Sequence, residues 1–191
     1  MRRLQHFWTW NLTLILGLSL VAKVAPAQAI VTAQRGAELT PFVQTTLVSP
    51  DWGPTNNLGY TVGVDYTRLI RSIVQPSVEA RMTSANGGTV SERTYTAGLK
   101  LQCAIHGIHP YATLLAGMGD ITFTHPIGNY FGDNSVIFSL GGGAEFNIGP
   151  GLRARVDFTH QQWNLDPQTL TPLSMGVGVS YTLPFHRGDV Q

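Results

Sequence analysis

The sequence predicts an all-β chain: an eight-stranded antiparallel up-and-down transmembrane β-barrel preceded by a cleavable signal peptide. Three observations lead there. An export leader opens the chain, side-chain character alternates with period two along almost everything that follows, and charge is scarce, 12% of residues against 43% hydrophobic.

The leader carries Arg2 and Arg3, then the apolar block Leu12 to Ala22, then the small-residue site Ala27-Gln28-Ala29. That order of basic end, short apolar core and small residues is the pattern of a secretory signal. The apolar block falls short of the roughly 20 residues that a helical span needs. Residues 1–29 are therefore expected as signal peptide and 30–191 as the barrel domain. Loss of Arg2, Arg3 and Lys23 leaves a slightly acidic mature chain with no basic patch for nucleic acid. The single cysteine, Cys103, offers no internal disulfide. A poorly charged exported chain without a helical span has the β-barrel as its membrane option.

Eight strand segments follow in order. "ELTPFVQTTLV" reads as a strand whose faces are mixed. In "YTVGVDYTR", Tyr60, Val62, Val64 and Tyr66 oppose Thr61, Gly63, Asp65 and Thr67. Pro76, Val78, Ala80 and Met82 oppose Ser77, Glu79, Arg81 and Thr83. In "TYTAGLKLQ", Tyr95, Ala97, Leu99 and Leu101 oppose Thr96, Gly98, Lys100 and Gln102. "HPYATLLAGMG" is again mixed. Phe138, Leu140, Ala144 and Phe146 then oppose Ser139, Gly141, Gly143 and Glu145, and Leu152, Ala154, Val156 and Phe158 oppose Arg153, Arg155, Asp157 and Thr159. The last segment sets Met175, Val177, Val179, Tyr181, Leu183 and Phe185 against Gly176, Gly178, Ser180 and Thr182. Period two marks strands, and the glycine, threonine and β-branched residues that fill these segments disfavour helix.

The connections alternate in length. "SPDWGPTNN", "SANGGTVS", "ITFTHPIGNYFGDNS" and "NLDPQTLTP" read as long loops, whereas "LIRSI", "AIHGIH" and "NIGPG" are short. Transmembrane barrels sort their connections in this way, with short turns on the periplasmic side. Two features favour an apolar face toward lipid over an apolar face toward a soluble core. The polar face is small and carries both signs of charge, as a narrow lumen would. Aromatic residues recur toward strand ends, at Tyr60, Tyr66, Tyr95, Tyr111, Phe158, Tyr181 and Phe185, as in interfacial girdles.

The eight-strand pattern, the glycine-rich sixth strand and the ending "MGVGVSYTLPF" resemble the small outer-membrane β-barrel family that includes OmpA-type membrane domains and opacity-like surface proteins. The resemblance covers essentially the whole chain after the leader. It implies residence in the outer membrane, lipid as surroundings and insertion by a barrel-assembly machinery that reads the last strand. Gly178, Tyr181, Leu183 and Phe185 match that assembly signal. The chain departs from the family pattern by running on through "HRGDVQ" and by placing Pro184 before the terminal aromatic.

The run Gly141-Gly142-Gly143 lacks the Lys-Ser/Thr of a phosphate loop and no helix follows it. With odd-numbered residues polar on both flanking strands, a two-residue turn is excluded. A three-residue loop Gly149-Pro150-Gly151 pairs Glu145 with Arg155 inside, and Phe146 with Ala154 and Ala144 with Val156 outside. Asp157 lies further along the same face, and Glu79, Arg81 and Lys100 add lumen charges. Buried charges persist when paired, so these six residues are expected to form a lumen network. Eight strands leave little room beyond side chains.

No catalytic constellation emerges. His160 and Asp157 are three apart on a strand and so on opposite faces, and the His-x-Ser spacing of lipid A deacylase barrels is absent. The histidines and Cys103 show no metal-ligand spacing, so no metal, cofactor or enzymatic role is expected. Trp52, Tyr130 and Phe131 are assigned to outer loops, where they either order the loop or touch an unidentified surface ligand. The reading is a non-enzymatic outer-membrane barrel with a structural or surface-interaction role. Two alternatives stay open: a soluble exported barrel for a small apolar ligand, and a narrow ion channel.

Overall fold

Alternating segments that each have one apolar face pair with their sequence neighbours, and closing the series removes every unpaired edge. The computed structural model describes residues 36–51, 56–88, 90–127, 130–165 and 168–185, with the side chains of 124–131, 168, 184 and 185 left aside. Its strands are β1 (Ala37–Ser49), β2 (Asn57–Arg68), β3 (Val74–Asn86), β4 (Val90–Cys103), β5 (Ile108–Ile127), β6 (Tyr130–Asn147), β7 (Leu152–Leu165), β8 (Gln168–Leu170), β9 (Leu173–Tyr181) and β10 (Leu183–Phe185). β8 is a short strand on the outer part of β7. β9 and β10 form one stave interrupted at Thr182, whose N–H turns aside to the Gly151 carbonyl at 2.7 Å. That stave pairs with β7 on one side and β1 on the other, so eight antiparallel staves close into a barrel.

The short turns follow local chemistry. His106 and Gly107 both have positive φ, 48° and 84°, and join a two-residue hairpin closed by Ile105 and Ile108. This backbone matches strand twist and favours glycine. The turn from β6 to β7 is the three-residue loop Gly149-Pro150-Gly151, with Gly151 at φ 70° and Ile148 N–H donating to the Leu152 carbonyl at 3.0 Å. It sets Glu145 opposite Arg155, Phe146 opposite Ala154 and Ala144 opposite Val156.

Two of the expected long loops are largely strand. β3 and β4 run to Asn86 and from Val90, and β5 and β6 reach Ile127 and Tyr130 with a register shift between Thr122 and Ile127. Tyr130 and Phe131 therefore begin β6 rather than sit in a loop. Turn-rich composition hid these extensions, because a hairpin standing clear of the membrane no longer needs a lipid-facing residue at alternate positions. Trp52 and the 1–29 leader lie outside the described residues.

Every stave turns its apolar side outward. Val43, Val62, Val78, Leu99, Leu114, Leu140, Val156 and Val177 are all exposed. The inward side holds threonine, serine, glycine and buried charge. Water cannot solvate an apolar belt of this extent around a charged interior, and hydrocarbon can. The two mixed strands resolve in the same frame. Thr40, Phe42, Gln44, Thr46 and Val48 point in from β1, and Tyr111, Thr113 and Leu115 point in from β5. Their faces looked mixed because large apolar side chains fill part of the lumen. Tyr111 accordingly leaves the girdle to which its spacing assigned it and joins the interior.

An arginine at the bilayer midplane of a barrel costs about 2–4 kcal/mol. Val179→Arg, outward on β9, should therefore abolish the heat-modifiable, membrane-embedded form seen by electrophoresis of membrane fractions. Normal integration of that variant would contradict the assignment of faces.

Candidate functional site: a charged layer across the lumen

The interior is layered. Toward the longer connections lies an apolar cluster of Val90, Ile121, Phe123, Ile137, Trp163, Leu165 and Leu170. Trp163 is fully buried and gives its indole N–H to Gln161 at 2.9 Å. Hydroxyls form a second zone, in which Thr61 bonds Thr46 at 2.7 Å and Thr83 at 2.8 Å across β1, β2 and β3. The charges gather toward the short turns.

Arg155, on β7, is the hub and is 0% exposed. Its Nη1 donates to Asp65 and to Glu145, each at 3.1 Å, and its Nη2 donates to Glu79 at 2.9 Å and Asp157 at 3.3 Å. The guanidinium lies 3.8 Å from the Phe42 ring centre and 4.7 Å from that of Tyr111. A planar cation with several fixed donors suits such multiple bridging, and its faces stack on aromatic rings. Lys100, on β4, reaches Asp65 at 2.5 Å and Glu145 at 2.9 Å, and sits 4.3 Å over Tyr111. Arg81, on β3, pairs with Glu79 beside it and with Asp157 at 3.0 Å. At the edge of the layer Arg153 bridges Glu145 at 3.4 Å and Glu38 at 3.6 Å.

The six charges expected from the sequence, Glu79, Arg81, Lys100, Glu145, Arg155 and Asp157, thus meet in one connected layer. Asp65 completes it. Its inward position was plain from the alternation in "YTVGVDYTR", yet only the folded register shows that it lies between Lys100 and Arg155. Phe42 and Tyr111 escaped notice because they sit on the two strands of mixed face.

The glycine run has a specific part here. Tyr111, Gly143 and Asp157 are successive register partners across β5, β6 and β7. A Cβ at Gly143 would stand 2.6 Å from the Tyr111 hydroxyl oxygen. Its absence lets the phenol cross β6 and donate to Asp157 at 2.7 Å. On the eighth stave, Gly176 and Gly178 are the partners of Asp157 and Arg155. Of the assembly-signal positions, Gly178 therefore faces inward, Tyr181 and Leu183 face outward, and Phe185 pairs with Ala37 at the strand end.

The sequence matches the family model of the outer membrane protein β-barrel domain over residues 13–182. The chain belongs to that family. Solved structures agree on the fold. Neisserial surface protein A is 10% identical with a TM-score of 0.52, the match covering 77% of this chain and 97% of that one. Ail, the attachment invasion locus protein of Yersinia pestis, is 16% identical with a TM-score of 0.53, covering 79% and 100%. Ail in complex with the heparin analogue sucrose octasulfate gives 15% identity, a TM-score of 0.50 and coverage of 79% and 100%. No curated protein matches the chain by sequence. This outer-membrane barrel resides in the cell outer membrane, which removes the soluble alternative.

Beyond the apolar band a different carboxylate stands apart. Glu92 is inward on β4, between outward Ser91 and Arg93, and accepts from the Asn57 amide at 3.1 Å. Burial first, and the nearby Asp51 carboxylate in addition, raise its pKa from 4.5 to about 7. Asp51 itself accepts from the Thr171 amide and from its hydroxyl at 2.8 Å, tying the first outer connection to the last.

Two outcomes follow from these arrangements. Removing one partner of a buried ion pair costs about 3–5 kcal/mol, so Arg155→Met should lower the unfolding free energy in lipid vesicles by that amount. An unchanged urea midpoint would mean that the carboxylates are not held by Arg155. For Glu92 the folded pKa is raised, so its stabilising contribution is complete below the ordinary value of 4.5 and is lost as pH rises toward about 7. Glu92→Gln should match the wild type on the acid side of that window and exceed it in stability on the alkaline side. Equal pH dependence of the two proteins would contradict this.

Proposed function

We propose that this barrel is a non-enzymatic component of the outer membrane, with a structural or surface-interaction role and a lumen closed by its charged layer. One observation carries the reading. The layer receives a large side chain from every stave but the last: Phe42 from β1, Asp65 from β2, Glu79 and Arg81 from β3, Lys100 from β4, Tyr111 from β5, Glu145 from β6, Arg155 and Asp157 from β7. Opposite charges held this closely take up the section that an ion would have to cross. The apolar cluster around Trp163 adds a second barrier toward the outside.

A catalytic role finds no support in the geometry. Asp157 points inward and His160 outward, so the two do not form an acid/base pair. No group of metal-ligating side chains occurs among the described residues. The partners of this reading are outer-membrane lipid around the wall, a barrel-assembly machinery that engages Gly178, Tyr181, Leu183 and Phe185, and a surface ligand meeting the outer connections, where Trp52 lies in the sequence. Ail crystallised with a heparin analogue, which makes anionic sugars a first class of surface ligand to screen.

Purified protein in planar bilayers should show no discrete conductance steps. Steps present in the wild type and enlarged by Glu145→Gln would establish the narrow channel in place of the closed barrel.

A further inference from the structure

The outer wall changes character within one step across three neighbouring staves. Register sets Ala80, Ala97 and Ala116 side by side on β3, β4 and β5. The next outward rung toward the longer connections is Met82, Tyr95 and Met118, followed by Ser84, Arg93 and Asp120, then Asn86, Ser91 and Thr122. Rungs on one face are about 7 Å apart along a strand. The three alanines leave the wall thin where their neighbours are bulky. They floor a groove of about 670 Å³ walled by Val62, Met82, Tyr95 and Met118. The polar rungs line an adjoining hollow of about 260 Å³ directly above it.

The hollow carries unspent polar capacity. Arg93 has no hydrogen bond or ion pair with any described residue, although its register partner is Asp120. Asp120 accepts only from the Thr122 hydroxyl, at 3.2 Å, among the described residues. A cation and an anion side by side, above an apolar trough at the membrane boundary, complement an amphiphile whose head carries a phosphate next to a hydrogen-bond donor. A bare anion would meet repulsion from Asp120.

We propose that this face of β3, β4 and β5 holds one ethanolamine phospholipid, with an acyl chain along the alanine groove, its phosphate on Arg93 and its headgroup ammonium on Asp120. The proposal rests on the outer-membrane placement and on the orientation that puts longer connections outside. It does not depend on whether the lumen is closed. A chain lying in the trough touches a floor and two walls, where bulk lipid against a flat wall touches one surface. The phosphate gains charge-assisted hydrogen bonds at a boundary where water is depleted. Tyr95, at the junction, is an interfacial residue of the kind that lines both borders of such barrels.

The test is native mass spectrometry of the whole protein released from nanodiscs that hold equal amounts of phosphatidylethanolamine and phosphatidylcholine. The wild type should retain one phosphatidylethanolamine in preference, because the choline head has no N–H to give Asp120. Ala97→Leu, which fills the groove, should remove retention of either lipid. Ala154→Leu, outward on β7, should leave it as in the wild type. Arg93→Gln should weaken retention about tenfold, and Asp120→Asn should erase the preference between the two heads. Folding of each variant is read from its heat-modifiable migration, and if Ala97→Leu fails to fold, the exposed-site changes at Arg93 and Asp120 decide. Retention of both lipids alike by the wild type, or wild-type retention by Arg93→Gln, overturns the proposal.

Discussion

An eight-stave barrel has an interior about one side chain deep, and any charge placed there must find its counter-charge at once. Arg155 is where that constraint is met. Its guanidinium joins carboxylates from β2, β3, β6 and its own strand between two aromatic rings. Asp65, Glu79, Glu145 and Asp157 face Arg81, Lys100, Arg153 and Arg155, with Glu38 joining Arg153 at the edge, so every cation of the layer meets a carboxylate. A buried pair of this kind is weak evidence for extra stability, since desolvation offsets much of the attraction. Its effect is on specificity: a register slip by one residue on any of these strands would turn a charge toward lipid.

The rest of the lumen follows from where that layer sits. Large inward side chains need room, and glycines on neighbouring strands supply it. Phe42 lies over Gly63, its register partner, and Tyr111 crosses Gly143 to reach Asp157. The triple glycine of β6 is thus neither a phosphate loop nor mere flexibility. Its third member, Gly143, is the gap through which the aromatic that caps Arg155 and Lys100 reaches its acceptor. Away from the layer, toward the outer mouth, the interior has no comparable set of counter-charges and turns apolar around Trp163.

The wall obeys a separate rule. Outward positions answer only to lipid, so they vary between bulky and small without disturbing the interior. The alanine rung of β3, β4 and β5 is one result, and the abrupt change to Ser84, Arg93 and Asp120 marks where hydrocarbon ends. The same boundary separates inward Glu92, whose carboxylate answers to Asn57 and Asp51, from the charges of the lumen layer, which answer to one another.

Period-two alternation separated the two faces of six staves, because one face of each strand meets hydrocarbon and the other does not; with the leader, the scarce charge and the alternating connection lengths it determined the fold class, and with the Gly149-Pro150-Gly151 loop the β6–β7 register. It also marked the inward positions of Glu79, Arg81, Lys100, Glu145, Arg155 and Asp157. Tertiary structure decided what alternation cannot carry. Phe42 and Tyr111 are apolar or aromatic yet face inward, since the lumen must be filled as well as neutralised. Asp65 joins Lys100 and Arg155 only through pairing across strands far apart in the chain. Tyr130 and Phe131 extend a strand because the β5–β6 hairpin keeps its backbone bonds beyond the membrane, where no lipid imposes a pattern on its side chains. Which side of a strand is greasy is a local property and is written in local sequence. Which charge meets which is set by closure of the barrel, and closure brings together residues that the chain keeps apart.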